Sequence, residues 1–377
     1  GLVPLRGTDL ILHELFVWLP LPALRPLPYT EYMSVQGYSG VKLVKKEERV
    51  RKRGEVYGSI GGMNVIDEIK KEFQIPGAFE NWAVYREQVT DLILASVSQP
   101  DLMQEASLQT TIEDVERSRR PMPTSDTKTT GSIALFGIGP ANDIDLRRLS
   151  ERFERIMLID LDREGMERGL ARYGLQHCPK VELWNASLSG VTMEDVAAFF
   201  ETLYDQVVRS GRALTESAFM EMSLTALEQI RHKMVSSRET LRAKLPAEHY
   251  DMVVSVGLHS QFWSILSYSW LTLAGNVEEQ ILGHVMNYDP FFETLRSIDD
   301  VFIPMLNEVM LSMGDRAIIA VEEDEAHPVE GAFQSMQDIR QRYPDVQEKR
   351  LHWPFRPEEG KSYEMLFQII GQTEVEH

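Results

Sequence analysis

Residues 132–145 read Ser-Ile-Ala-Leu-Phe-Gly-Ile-Gly-Pro-Ala-Asn-Asp-Ile-Asp, and their spacing suits one kind of chemistry, the binding of a ligand along the main chain. Gly137 and Gly139 end a short apolar run. Lacking side chains, they let a ligand lie on the backbone. A helix beyond the turn would offer free N–H groups to polar ligand atoms. Asp160 closes a second apolar run about twenty residues later, where nucleotide-binding folds set a carboxylate on ribose hydroxyls. A tight turn or a strand-ending acid is common on its own. In this order and at this spacing, the two point to a nucleoside-bearing ligand. Asn142 stands where a dinucleotide fingerprint would place its third glycine.

Other chemistries lack their residues. His327 and His352 are scattered, and no His-Glu-x-x-His or paired-cysteine pattern exists, so no metal is expected. A Gly-x-Ser-x-Gly elbow and a Gly-Lys-Ser/Thr phosphate loop are both missing, which leaves hydrolase and nucleotide-triphosphatase functions without support.

The elements that must position the turn alternate. Apolar runs predict strands over 132–136, 155–160, 180–184, 250–256 and 315–321, with helices over 143–152 and 163–173. Such alternation implies a parallel sheet with helices on both faces. About sixty residues separate the third and fourth strands, far beyond a usual connection. They read as a helical insertion over 190–245, one helix carrying Val196, Phe199, Phe200, Leu203 and Val207, the other running from Phe219 to Met234. Its methionines suit core filling. Further helical stretches are expected over 261–311 and 332–342. Strands over 349–353 and 363–370 close the chain, and their short link permits only a hairpin, so the last strand is expected to be antiparallel.

Upstream, residues 64–76 and 79–98 read as helices, the second burying Trp82, Tyr85, Val89 and Leu92; a weaker helical stretch follows Pro100. Residues 119–131 are Pro-, Ser- and Thr-rich and read as a linker. The basic stretch 41–53 suits a solvated arm. The opening Gly-Leu-Val-Pro-Leu-Arg-Gly resembles a vector-derived linker, so residues 1–32 are set apart as a tag or non-core extension. The expected division is 1–32, a helical region with linker over 33–130, and an α/β domain over 131–377.

Composition narrows the partners. The 377 residues are 43% hydrophobic, enough for a sizeable core, and 39 basic against 58 acidic side chains leave a net charge of −19. So acidic a surface repels phosphate backbones, which argues against nucleic acid. Cys178, the single cysteine, excludes an internal disulfide framework and fits a reducing, cytoplasmic setting. The most apolar N-terminal stretch, 10–27, holds His13, Glu14, Arg25 and several prolines, so no membrane span is expected.

The stretch from about 130 to 372 resembles the class I S-adenosylmethionine-dependent methyltransferases, which have a Rossmann-like α/β fold with a final antiparallel strand. Phe136-Gly137-Ile138-Gly139-Pro140-Ala141-Asn142-Asp143 resembles the family's first motif, and Leu158-Ile159-Asp160-Leu161-Asp162 its second, whose acid holds the ribose. Leu183-Trp184-Asn185-Ala186-Ser187 falls where the third strand ends against adenine. Tyr250-Asp251-Met252-Val253-Val254-Ser255-Val256 resembles the strand that reaches the methyl-transfer centre. The resemblance therefore implies S-adenosylmethionine as cofactor, contacted by Gly137, Gly139, Pro140, Asn142, Asp160, Leu161, Asn185, Ala186 and Ser255. Two departures stand out. No acid occurs early in the first strand, and Asn185 replaces a common aspartate. No Asn-Pro-Pro-Tyr-like motif follows the fourth strand, which speaks against nucleobase amino groups as acceptors.

Methyl transfer is a displacement at a sulfonium carbon, and a base is needed only where the acceptor must lose a proton. His259, just past the fourth strand, is the candidate base, with an ordinary histidine pKa near 6.5. Glu322 and Tyr288 are candidates for the acceptor side; Glu323 neighbours the former. The expected activity is methyl transfer to a small molecule or peptide. Two alternatives use the same residues: an NAD(P)-dependent oxidoreductase, and a non-catalytic scaffold of this fold, a homodimer built through its helical regions.

Overall fold

The structure is a computed structural model that describes residues 75–98, 131–236, 238–323 and 329–371. Residues 1–74, the stretch 99–130 with its expected helix and nearly all of the linker, and His327 lie outside the described residues. So does the predicted helix 64–76, apart from Ile75 and Pro76, which are not helical.

Seven strands form one sheet in the order β3-β2-β1-β4-β5-β7-β6. They are β1 (Ser132–Phe136), β2 (Arg155–Asp160), β3 (Val181–Asn185), β4 (Met252–Val256), β5 (Ala317–Glu323), β6 (Gln347–Arg356) and β7 (Lys361–Ile370). The first five are parallel, while β7 runs antiparallel between β5 and β6. The hairpin argument therefore holds, and the closing strand is inserted rather than appended. Strands covered on both faces read as continuous apolar runs, and all five residues of β4 are buried.

Side chains alternate across each strand and feed two cores. Ile133, Leu135, Ile156, Leu158, Val254, Ile318 and Ala320 face one layer, made of α1 (Ala83–Ser98), α2 (Leu146–Arg152) and α3 (Arg163–Tyr173). Ala134, Phe136, Met157, Ile159, Val253, Ile319 and Val321 face the other. That layer holds α4 (Met193–Ser210), α5 (Glu216–Met234), α6 (Ser264–Val277), α7 (Asp289–Leu311) and α8 (Ala332–Arg342). The insertion is thus part of the core. Trp270 of α6 stacks on Phe291 at 3.9 Å and donates to Ser223 Oγ of α5 at 2.8 Å.

Helix α1 is not a separate unit from the sheet. Trp82, just before it, donates from Nε1 to Phe355 O at 3.2 Å and meets Trp353 edge-on at 4.9 Å. Thr90 Oγ1 accepts from Asp145 N at 2.9 Å, and Arg316 donates to Ser96 O at 3.0 Å. This helix thus packs directly on the α/β core. Among the described residues no helix is long and apolar enough to cross a membrane.

Candidate functional site

The C-terminal ends of β1, β2 and β3 are tied together by short bonds. Gly137 N donates to Ile159 O at 2.9 Å, fixing the turn to β2. Asp160 takes one main-chain N–H on each carboxylate oxygen: Gly139 N on Oδ2 at 2.8 Å and Asp162 N on Oδ1 at 2.7 Å. Burial raises its carboxyl above the ordinary range, and those two N–H bonds oppose the rise. Each oxygen keeps a lone pair. Asn185 Nδ2 donates to Asp160 O at 3.0 Å and Leu161 O at 2.7 Å, and Ala186 N to Asp160 O at 3.1 Å. Leu161 itself is exposed.

The turn is strained. Ala141 has φ 52°, the single positive value at a non-glycine among the described residues. A left-handed alanine persists only where its surroundings over-determine it. Here Tyr173 Oη donates to Ala141 O and Ile144 O, at 3.1 and 2.9 Å. Pro140 O lies only 2.9 Å from where a Cβ at Gly169 would be, so the absence of a side chain there lets the turn rest on α3. The two turn glycines differ. A Cβ at Gly137, φ 67°, would fall 2.7 Å from Leu258 Cδ1, whereas one at Gly139, φ 46°, would meet nothing within 4 Å. Gly139 is the open face of the turn, and Leu258 already covers Gly137.

One expectation is corrected, the start of α2, and three candidate residues have protein partners of their own. Helix α2 begins at Leu146, not 143, because Asp145 caps it: Oδ1 accepts from Arg147 N at 2.9 Å and Arg148 N at 3.1 Å. Its N-terminal N–H groups are therefore engaged by the protein. Asn142 is spent on two arginines, its Oδ1 accepting from Arg172 at 2.7 Å and its main-chain O from Arg86 at 3.0 Å. Both guanidinium groups lie over the Phe79 ring, 3.9 and 4.3 Å from its centroid. Tyr288 packs edge-on to Trp270 at 5.3 Å, in the helical layer. Roughly 28 Å of helix, at 1.5 Å per residue, separates it from Asn307 near the other end of α7.

The third of these candidates is His259. It is 1% exposed and turned toward α7, where Nε2 meets Asn307 Oδ1 at 2.8 Å. Asn307 Nδ2 donates to Asp338 Oδ2 at 2.9 Å, so its oxygen is the acceptor and Nε2 carries the hydrogen. Burial holds the imidazole down at about 4, a fall the Asn307 bond only partly opposes. At neutral pH His259 is uncharged and sequestered, which removes the basis for a rate change near its ordinary pKa. It leaves a mark on stability instead. A histidine depressed in the folded state contributes stability that is present above about 6.5 and lost as pH falls toward 4. His259→Gln, which can still donate to Asn307, is expected to lose less stability over that window in urea unfolding at pH 7 and pH 5. Equal losses in both proteins would show that another group titrates.

Sequence reasoning missed two residues on the opposite face. They accompany Glu322, already a candidate, which is next to last in β5 and whose Oε1 accepts from Ser260 Oγ at 2.8 Å. Glu322 is pushed up to about 7 by burial, opposed by its own N–H and by Ser260. Asp143, in the turn, also rises to about 7 through burial, opposed by its own N–H and the Arg86 charge. Tyr85 lies close enough to both carboxyls that each, after burial, resists its ionisation. The position of Asp143 within the turn was a signal; Tyr85 read simply as core. Ser255 is 1% exposed beside Phe136, with its hydroxyl unpartnered among the described residues.

No protein-family model matches this chain, and no curated protein does. Solved structures do. The N-methyltransferase NodS from Bradyrhizobium japonicum, in complex with S-adenosyl-L-homocysteine, is 9% identical over 76% of this chain and 98% of its own, with a TM-score of 0.32. Magnesium protoporphyrin IX methyltransferase from Synechocystis, with bound SAM, is 9% identical over 83% and 99%, with a TM-score of 0.34. Precorrin 8W decarboxylase from Methanobacterium thermoautotrophicum is 14% identical over 70% and 92%, with a TM-score of 0.26. At these identities and scores the likenesses say nothing of what this chain binds or catalyses.

Proposed function

We propose that this chain is an S-adenosylmethionine-dependent methyltransferase acting on a small-molecule or peptide acceptor. One observation carries the reading: an open glycine turn braced on Asp160, in a sheet whose last strand is antiparallel beside β5. Open α/β sheets bind ligands outside the carboxyl ends of the strands, where strand order reverses; here that is the crevice flanking β1. The dinucleotide-binding version continues with a sixth strand after the fifth in the order 3-2-1-4-5-6. An antiparallel β7 in that place disfavours the nicotinamide alternative.

The residues present fit the cofactor. Gly139 leaves the main chain open to approach, and the remaining lone pairs of Asp160 suit two ribose hydroxyls. Leu161 and Ala186 would meet the base, and Asn185 would act through the backbone that it braces. Ser255 has a free hydroxyl at the β4 end. Once bound, the cofactor supplies a methyl group already activated by its sulfonium. The protein's contribution is then to orient the acceptor and exclude water. The net charge of −19 gives nucleic acid no electrostatic footing.

Calorimetry with S-adenosylhomocysteine and with NAD tests this directly. Saturable binding of the first and none of the second is expected. Binding of NAD alone would establish the oxidoreductase reading, and binding of neither would leave the scaffold.

A further inference from the structure

At the end of the sheet, on the α1 side, two buried polar atoms have no partner among the described residues. Glu322 follows Ile318 and Ala320 in alternation, which sets it on the face that holds Tyr85. It is 9% exposed, and while Oε1 takes the Ser260 hydroxyl, Oε2 has no partner among the described residues. Tyr85 is 1% exposed, and its hydroxyl likewise has none. Asp143 brings a second carboxyl within electrostatic reach of that hydroxyl. The charge that opposes Asp143, Arg86, spends Nη1 on Phe79 O and Asn142 O at 2.6 and 3.0 Å.

The loop after β4 comes close to the carboxylate at a glycine. The position a Cβ would take at Gly257 is 3.7 Å from Glu322 Oε1, 3.8 Å from Gln261 Nε2 and 3.9 Å from Met365 Cε. Gly257 adopts φ 62°, so the loop turns there without a side chain between Glu322 and the turn. Buried acceptors left unpaired cost free energy in the unliganded state. Such groups persist where a ligand completes them. A ligand that completes the Glu322 carboxyl, with a second carboxyl in electrostatic reach, brings a hydrogen-bond donor and positive charge.

Building on the methyl-transfer reading, we propose that the acceptor is a small amine whose protonated nitrogen binds to Glu322, with Asp143 and Tyr85 beside it. Glu322 then takes one proton from the ammonium group and frees the nitrogen lone pair. That pair forms the new N–C bond as the S–C bond breaks, its electrons leaving on sulfur. The sulfonium becomes a neutral thioether, the product nitrogen carries the positive charge, and Glu322 returns its proton to water on release. A carboxyl held near 7 suits this exchange at neutral pH. His259 has no part in it, being turned to the other face.

Thermal unfolding of the full chain with millimolar benzylamine, tyramine or 1,4-diaminobutane provides the test, with benzoate and benzyl alcohol as controls. At least one amine is expected to raise Tm by about 2 °C or more, with no shift from benzoate. The shift is lost in Glu322→Gln and partly restored in Glu322→Asp. Should Glu322→Gln not fold, Tyr85→Phe serves: removing an unpartnered hydroxyl leaves Tm equal or higher and shrinks the amine shift. The proposal is overturned by the absence of any amine shift, by a shift that survives Glu322→Gln, by stabilisation from benzoate instead, or by a lower Tm in Tyr85→Phe. Calorimetry with S-adenosylhomocysteine on the same samples separates the two levels. An amine shift through Glu322 without cofactor binding defeats methyl transfer but not the amine site; cofactor binding without an amine shift does the reverse.

Discussion

Gly137→Val is expected to abolish S-adenosylhomocysteine binding while leaving most helical content intact. Two effects combine. The backbone at 137 has φ 67°, which a β-branched residue adopts at a cost of about 1–3 kcal/mol. The new Cβ also falls 2.7 Å from Leu258 Cδ1 and 3.0 Å from its Cβ, an overlap that costs roughly another 1–3 kcal/mol. Sequence reasoning placed the clash with the ligand itself; the structure places it with Leu258. The turn is expected to move, carrying Gly139 away from Asp160. Leu258→Ala in the same chain removes the Cδ1 and Cγ contacts but keeps the Cβ contact and the strain, so it should recover part of the lost Tm. Calorimetry and circular dichroism read the two halves of this outcome. Parent affinity in Gly137→Val would make the turn a structural corner and nothing more.

Asp160→Ala is expected to weaken S-adenosylhomocysteine binding by about 1–3 kcal/mol, roughly five- to 150-fold. The carboxylate has two duties. It accepts the Gly139 and Asp162 N–H groups, and on the proposed reading it would also accept ribose hydroxyls. Asp160→Asn keeps one acceptor oxygen and should fall between parent and alanine variant. Unfolding without ligand reports how much of the loss comes from the broken brace. An alanine variant that folds and binds with parent affinity would remove Asp160 from the site.

Much of the architecture was legible because burial imprints itself on residue order. Strand β1 and helices α3 and α8 fall on the residues read for them, and β2 matches from Arg155 to Asp160. Covered strands need unbroken apolar runs, and amphipathic helices need their period. The ends slipped where a side chain intervened. Asp145 delays α2 by three residues, and Tyr250 lies outside β4, in an isolated bridge to Gly314.

The site divides in the same way. Gly137, Gly139 and Asp160 could be named from order and spacing, since a strand–turn–helix–strand unit is local and its geometry follows from its length. What the side chains do once the chain closes depends on partners far away in sequence. His259 looked like a candidate base, and Asn307, on a helix across the layer, holds it in a buried bond. Asn142 looked like a ligand contact until Arg86 and Arg172 converged on it. Tyr85 reads as one more apolar position in a helical stripe, and only the docking of α1 on the sheet sets it beside Asp143 and Glu322. Sequence alone therefore determined the layers, the parallel run of the first five strands and the glycine turn, because each follows from periodicity and local chain geometry. Tertiary structure alone decided which polar groups are left unpartnered, because desolvation and hydrogen-bond pairing are set by neighbours that no local pattern encodes.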